Sequence, residues 1–220
     1  MQLPIILALG LGLLALVVAL ILLARKARTS RTEALQHASL TLGFAFEAEG
    51  DVEQMKALGD LPLYSHGHSK RMRNVMIGRA GREEARIFDY HYTTGGGNHS
   101  HTWRQTVALY PGGGRGLPDF LLAPENVFHK IGQAFGYRDI DFDSSPAFSS
   151  RYLLRGPDEM AIRSAFTIET RTFLEQEQGW TIEVRAGNVG IYRAGKRCKP
   201  EEVAGFLEQS HAVLRALTRR

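Results

Sequence analysis

A single cysteine, Cys198, stands among 220 residues. That excludes an internal disulfide and any multi-cysteine zinc site, and it fits a reducing compartment. No G-x-S-x-G, H-E-x-x-H, phosphate-loop or dinucleotide fingerprint occurs in the chain, so none of those chemistries is signalled and no cofactor is expected. No charged side chain occurs in residues 1–24, and no acid occurs in residues 25–31. Disorder is excluded by the 44% hydrophobic content, which is enough to build a core. The roughly 190 residues beyond the apolar N-terminus suffice for one domain with a full core or for two small ones.

What is present begins with where the charge lies. The formal net charge is +4, with 27 basic and 23 acidic residues. Arg25, Lys26, Arg28 and Arg31 account for the whole excess, because the other 23 basic residues match the 23 acidic ones. The rest of the chain is formally neutral, so the high isoelectric point is no nucleic-acid footprint and no nucleic-acid partner is expected.

Leu3 to Ala24 reads LPIILALGLGLLALVVALILLA. At about 1.5 Å per residue it would form a helix roughly 33 Å long, enough for a hydrocarbon core. The sequence therefore predicts a transmembrane anchor over 1–24, a basic juxtamembrane segment over 25–31, and a soluble α+β domain over 32–220. Basic residues follow the apolar run and none precedes it, so the N-terminus is expected outside and the domain in the cytoplasm, as a single-pass protein of the plasma (inner) membrane. The expected partners are the lipid bilayer, with anionic lipid headgroups or a membrane-associated protein beside it. A cleaved signal peptide fits less well: the first two residues are Met-Gln, the core is too long, and no cleavage site or lipid-accepting cysteine follows. The Ala8/Gly12 and Ala15/Ala19 spacings suit the packing of a second helix.

Beyond the run, residues 32–43 predict a helix capped by Thr32 and ended by Gly43, and 51–59 a second with Asp51 as N-cap and Gly59 as stop. Period-two alternation predicts strands at 74–79, 85–93 and 102–110, with Phe88, Tyr90 and Tyr92 on one face and Ile87, Asp89 and His91 on the other. A strand at 120–123 and a helix at 125–135 follow. Ser144, Ser145 and Pro146 predict the start of a helix running to Leu154. Two more helices are expected at 158–166 and 168–178, then a hairpin over 180–193 and a closing helix from about 200 to 217. The fold class is α+β, an antiparallel β-meander with a second β-hairpin and flanking helices.

The runs Phe88-Asp89-Tyr90-His91-Tyr92-Thr93-Thr94-Gly95, Arg104-Gln105-Thr106-Val107 and Phe135-Gly136-Tyr137-Arg138-Asp139-Ile140-Asp141-Phe142-Asp143 resemble those of a family of uncharacterised bacterial single-pass membrane proteins. The resemblance implies one membrane span followed by a soluble domain and supplies no chemistry to carry over.

Asp139, Asp141 and Asp143 alternate with Ile140 and Phe142. In an extended segment this places three carboxylates on one side, a donor set suited to Mg²⁺ or Ca²⁺. Ser144 and Ser150 stand where an EF-hand loop needs glycine and glutamate, so that motif fails. Two H-x-H pairs, His66/His68 and His99/His101, with His91 between them, offer zinc or copper ligands, or simply solvated turn histidines. Lys196, Arg197 and Lys199 beside Cys198 would lower its thiol pKa, although no histidine partner is identifiable. The triple glycines at 95–97 and 112–114 are read as hairpin tips. Lys70, Arg71, Arg73, Arg79, Arg82 and Arg86 form a local basic group, read as solvated edge-strand charge. No catalytic constellation stands out, so the function expected is a non-enzymatic binding or interaction module. The competing reading is a divalent-metal-dependent enzyme using Asp139, Asp141 and Asp143.

Overall fold

The computed structural model describes residues 3–127 and 137–219. Helix α1 (Leu3–Thr41) runs unbroken through the expected boundaries at 24 and 31. Thr32 is not a cap, because no glycine or proline interrupts residues 25–41 and nothing stops helix propagation before Gly43, which adopts φ +70°. Two faces of the sheet are then assembled from strands β1 (Ala45–Gly50), β2 (His68–Ala80), β3 (Glu83–Thr94), β4 (His101–Tyr110), β5 (Phe120–Pro124), β6 (Tyr152–Arg155), β7 (Thr181–Arg185) and β8 (Asn188–Tyr192). They form one eight-stranded sheet in the order β1-β2-β3-β4-β8-β7-β5-β6, with every pairing antiparallel. The predicted meander and hairpin are thus parts of one sheet, joined where β4 pairs β8.

One face carries the larger core. The C-terminal end of α1, helices α3 (Glu159–Ala165) and α4 (Ile168–Gln176), and the closing helix α5 (Val203–Thr218) lie on it, burying Leu35, Ile87, Ala108, Ile182, Ile191, Phe206 and Val213. Helix α5 turns Val203, Phe206, Leu207, Val213, Leu214 and Leu217 inward, the face its sequence predicts. The opposite face is covered by α2 (Val52–Leu58) and the 3-10 turn Pro62–Ser65, which bury Met55, Leu61, Leu63 and Tyr64 against Phe88, Tyr90, Tyr92, Val107 and Tyr192. Asp51 caps α2 as predicted, accepting from the Glu53 and Gln54 N–H groups. Gly190 on β8 lets this cover approach: a Cβ there would stand 2.5 Å from Leu61 Cδ1.

Several expectations need correction. Among the described residues, no helix is long and apolar enough to cross a membrane. That overturns the expected single-pass placement in the plasma membrane with the N-terminus outside and a cytoplasmic domain. The helix expected from 144 to 154 is one helical turn, Pro146–Ser149, followed by β6. Ladder pairing of Leu154 with Leu122 and Tyr152 with Pro124 outweighs local helix propensity there. Strand β1 is not anticipated from the sequence: AFEAEG is mostly exposed, and its alternation rests on one large apolar side chain, Phe46. The expected helix over 125–135 falls mostly on 128–136, outside the described residues.

Candidate functional site: an arginine cleft beneath α1

The alternation of β3 sends Asp89 and His91 to the face that α1 crosses. Asp89 is the organising acid. It accepts from Arg31 Nε and Nη2, both at 2.8 Å, from Asn74 Nδ2 at 2.9 Å and from Thr106 Oγ1 at 3.0 Å. Asn74 reaches it from a bulge in β2 between Arg73 and Met76, where its φ is +52°, a conformation that asparagine tolerates better than most residues. Arg31 Nη2 also donates to the Cys198 carbonyl at 3.0 Å, and the Cys198 N–H donates to Thr106 Oγ1 at 3.0 Å. Helix α1, the sheet and the segment after β8 are clasped together at this point. Burial alone would lower the Arg31 pKa, but Asp89 outweighs it and the net direction is upward.

Around this clasp lies a cavity of about 710 Å³ lined by Ala24, Ala27, Arg28, Arg31, Arg71, Arg73, Asn74, Asp89, Tyr90, His91, Arg104 and Arg197. Arg71, His91 and Arg104 are direct cross-strand neighbours on β2, β3 and β4, so they form one row, with adjacent strands about 4.8 Å apart. Arg73, Asp89 and Thr106 form the next row. Glu49 on β1 pairs with Arg73 at 3.0 Å and Arg28 at 3.6 Å. Among the described residues the ion pairs of these six guanidiniums involve two carboxylates, and Glu201 acts on Arg31 from farther away. Among the described residues, the ion pairs at the cleft leave out Arg71, Arg104 and Arg197. The excess is felt locally: burial first, then Arg104, Arg71, Arg197 and Arg28, hold the His91 pKa below its usual range. Burial, with Arg31 and Arg104, likewise lowers that of Arg197.

A second polar group lies on the opposite face. Glu183 on β7 is wholly buried, accepting from Leu63 N–H at 2.9 Å and Tyr192 O–H at 2.7 Å. Burial pushes its carboxyl up to about 7. The Tyr64, Tyr90 and Tyr92 rings crowd the same face, with centroids 5.7 Å apart for Tyr64–Tyr90 and 6.0 Å for Tyr90–Tyr92.

Asp139, Asp141 and Asp143 share the solvent side of their segment while Ile140 and Phe142 are buried. Asp139 Oδ1 accepts from Ile140 N–H at 3.1 Å and Leu154 N–H at 2.8 Å, so it ties the segment to β6. Among the described residues, no group of three or more His, Cys, Asp or Glu is placed to hold a metal ion. His68 contacts Ser69 Oγ and the Gly95 carbonyl, and His101 packs edge-on to Trp103. Burial and Lys70 lower His66 to about 4. The Cys198 thiol goes opposite to expectation, up to about 11, because burial outweighs the neighbouring Arg31 charge. The local basic group divides: Arg71 and Arg73 join the cleft, while Arg86 pairs with Glu84 on the same strand at 2.7 Å. Of the basic residues expected beside a membrane, Arg28 and Arg31 are cleft residues, whereas Arg25 and Lys26 are exposed.

No protein-family model and no curated protein matches the sequence. In fold the chain is similar to a solved structure, the mycobacterial trehalose monomycolate transport factor A, TtfA, with a TM-score of 0.58 at 14% identity, over 86% of this chain and 97% of that one. At that identity the likeness is one of fold.

Proposed function

We propose that this chain is a non-enzymatic binding module whose site is the arginine cleft, and that its ligand presents an oxyanion: a phosphate, sulfate or carboxylate group. The row Arg71, His91, Arg104, with Arg197 beside it, carries the reading. Arg71 and Arg104 flank His91 from either side, and an oxyanion between them would accept from several guanidiniums at once. Catalysis gains less support from the same residues. Arginine stays protonated and transfers no proton. Asp89 is engaged by three other side chains, and His91 is biased toward its neutral form. The shared fold with a trehalose monomycolate transport factor favours a lipid-related role over a catalytic one.

The test is calorimetric titration of the full chain with inorganic phosphate at low and moderate salt. Saturable binding that weakens with salt, and about tenfold weaker binding in Arg71→Gln/Arg104→Gln at a melting temperature no lower than the wild type's, is the expected result. Equal affinity in that variant refutes the assignment of the site.

A further inference from the structure

Resting on the oxyanion reading, we infer that the ligand is an anionic amphiphile, with its headgroup among Arg71, Arg104 and Arg197 and its apolar chain along the helix stripe formed by Val17, Leu20 and Ile21. The juxtaposition is on α1 itself. Ala24, Ala27, Arg28 and Arg31 line the cavity, which fixes the helix face turned toward the cleft. Residues three, four and seven positions before Ala24 continue that face, and they are Ile21, Leu20 and Val17. All three are exposed, at 49%, 57% and 44%, as are the other large apolar side chains from Leu11 to Leu23; what sets these three apart is that they continue the cleft face.

Ala24 and Ala27, with the smallest side chains that a regular helix favours, stand on that face between the stripe and Arg28 and Arg31, so the apolar and charged parts of the helix surface adjoin. A ligand that is charged at one end and apolar over its length matches both parts in order. A simple anion would satisfy the arginines and leave the stripe wet, and a neutral apolar molecule would do the reverse. A second copy of this chain fits poorly. Pairing α1 with α1 along this face would bring Arg28 and Arg31 of each copy toward a cleft already rich in arginine, where like charges repel.

The experiment compares three probes on the full chain: ethyl phosphate, dodecyl phosphate below its micelle concentration, and the uncharged dodecyl maltoside. Dodecyl phosphate should bind about tenfold or more tighter than ethyl phosphate, since burying even a few methylenes on the stripe suffices for that factor. Val17→Gln/Ile21→Gln, on an exposed helix face, should remove this advantage and leave ethyl phosphate binding unchanged. Arg71→Gln/Arg104→Gln should weaken both phosphates, and dodecyl maltoside should bind far more weakly than dodecyl phosphate. Equal affinity for the two phosphates, with no effect of the stripe substitutions, overturns the amphiphile while leaving the oxyanion site standing. Failure of both phosphates to bind, or indifference of both to the arginines, overturns the site as well. If the stripe substitutions abolish self-association in sedimentation and leave dodecyl phosphate binding untouched, the stripe belongs to a second copy and the inference fails.

Discussion

Glu183 offers a quantitative handle on the fold because its burial is complete and both its partners are known. Its carboxyl accepts from Leu63 N–H and Tyr192 O–H, yet burial lifts its pKa from the ordinary 4.5 to about 7. An acid whose folded pKa is raised favours folding in its protonated form. That contribution is fully present below pH 4.5 and is lost as pH rises toward 7, because the unfolded chain releases its proton first. At about 1.4 kcal/mol per pH unit between those values, the loss is about 3 kcal/mol in all, of which about 2.5 kcal/mol falls between pH 5 and pH 8. Glu183→Gln removes the titration, keeps an oxygen for Leu63 N–H and leaves an amide able to donate to Tyr192. Urea denaturation of both proteins across that range should show the wild type losing about 2.5 kcal/mol relative to the variant, all other carboxylates being common to the pair. Curves that run parallel from pH 5 to pH 8 refute the reasoning.

Asp89→Ala leaves the half-buried Arg31 guanidinium unpaired and strips partners from Asn74 and Thr106, so it should cost about 3–5 kcal/mol in chemical denaturation. Arg31→Met/Asp89→Leu should recover most of that loss, and a double variant as unstable as the single one would show that the ion pair is not the cause. His91, held low by burial and its arginine neighbours, should gain a proton when an anion enters the cleft. Sulfate, which does not titrate in this range, should therefore bind about fivefold tighter at pH 5 than at pH 7 in the wild type and show little change in His91→Gln. Gly67→Ala places a methyl group against the Thr93 carbonyl at φ +57°, and should lower stability by about 2 kcal/mol or more in a thermal melt.

Much of the fold could be read from periodicity, and the failures have local causes. Strands β3 and β4 were legible because their alternation is uninterrupted from Ala85 through Leu109 apart from one turn, and the faces read from it match the two cores. Helix α5 was legible because a single sharply apolar face runs its whole length. Strand β6 was not, since Pro146 in a first turn after Ser145 is a genuine helix start and only pairing with β5 ends the helix at Ser149. Strand β1 lies at the sheet edge with little burial, so it leaves almost no hydrophobic trace. The Cys198 thiol runs against its neighbours' charge because those charges are visible in a sequence while the burial that outweighs them is not.

The cleft illustrates a different kind of illegibility. Asp89 and His91 could be placed on one face by alternation alone, and Arg104 follows from the same argument on β4. Arg71 and Arg73 could not, because the bulge at Asn74 changes the parity of β2. Odd-numbered Arg71 and Arg73 share a face with His91 and Asp89, while beyond the bulge it is even-numbered Met76 that joins Ile87. A period-two reading started at Asn74 therefore points the upstream arginines to the wrong side. Counting charge by segment fails for a related reason. The residues beyond 31 are formally neutral, yet four arginines among them converge with Arg28 and Arg31 on one cavity. Nor are residues 25–31 merely a basic tether, because Arg31 binds both Asp89 and the Cys198 carbonyl. Half of the surplus that a segment count assigns to the end of an apolar helix, Arg28 and Arg31, is in the folded chain one wall of the arginine cleft.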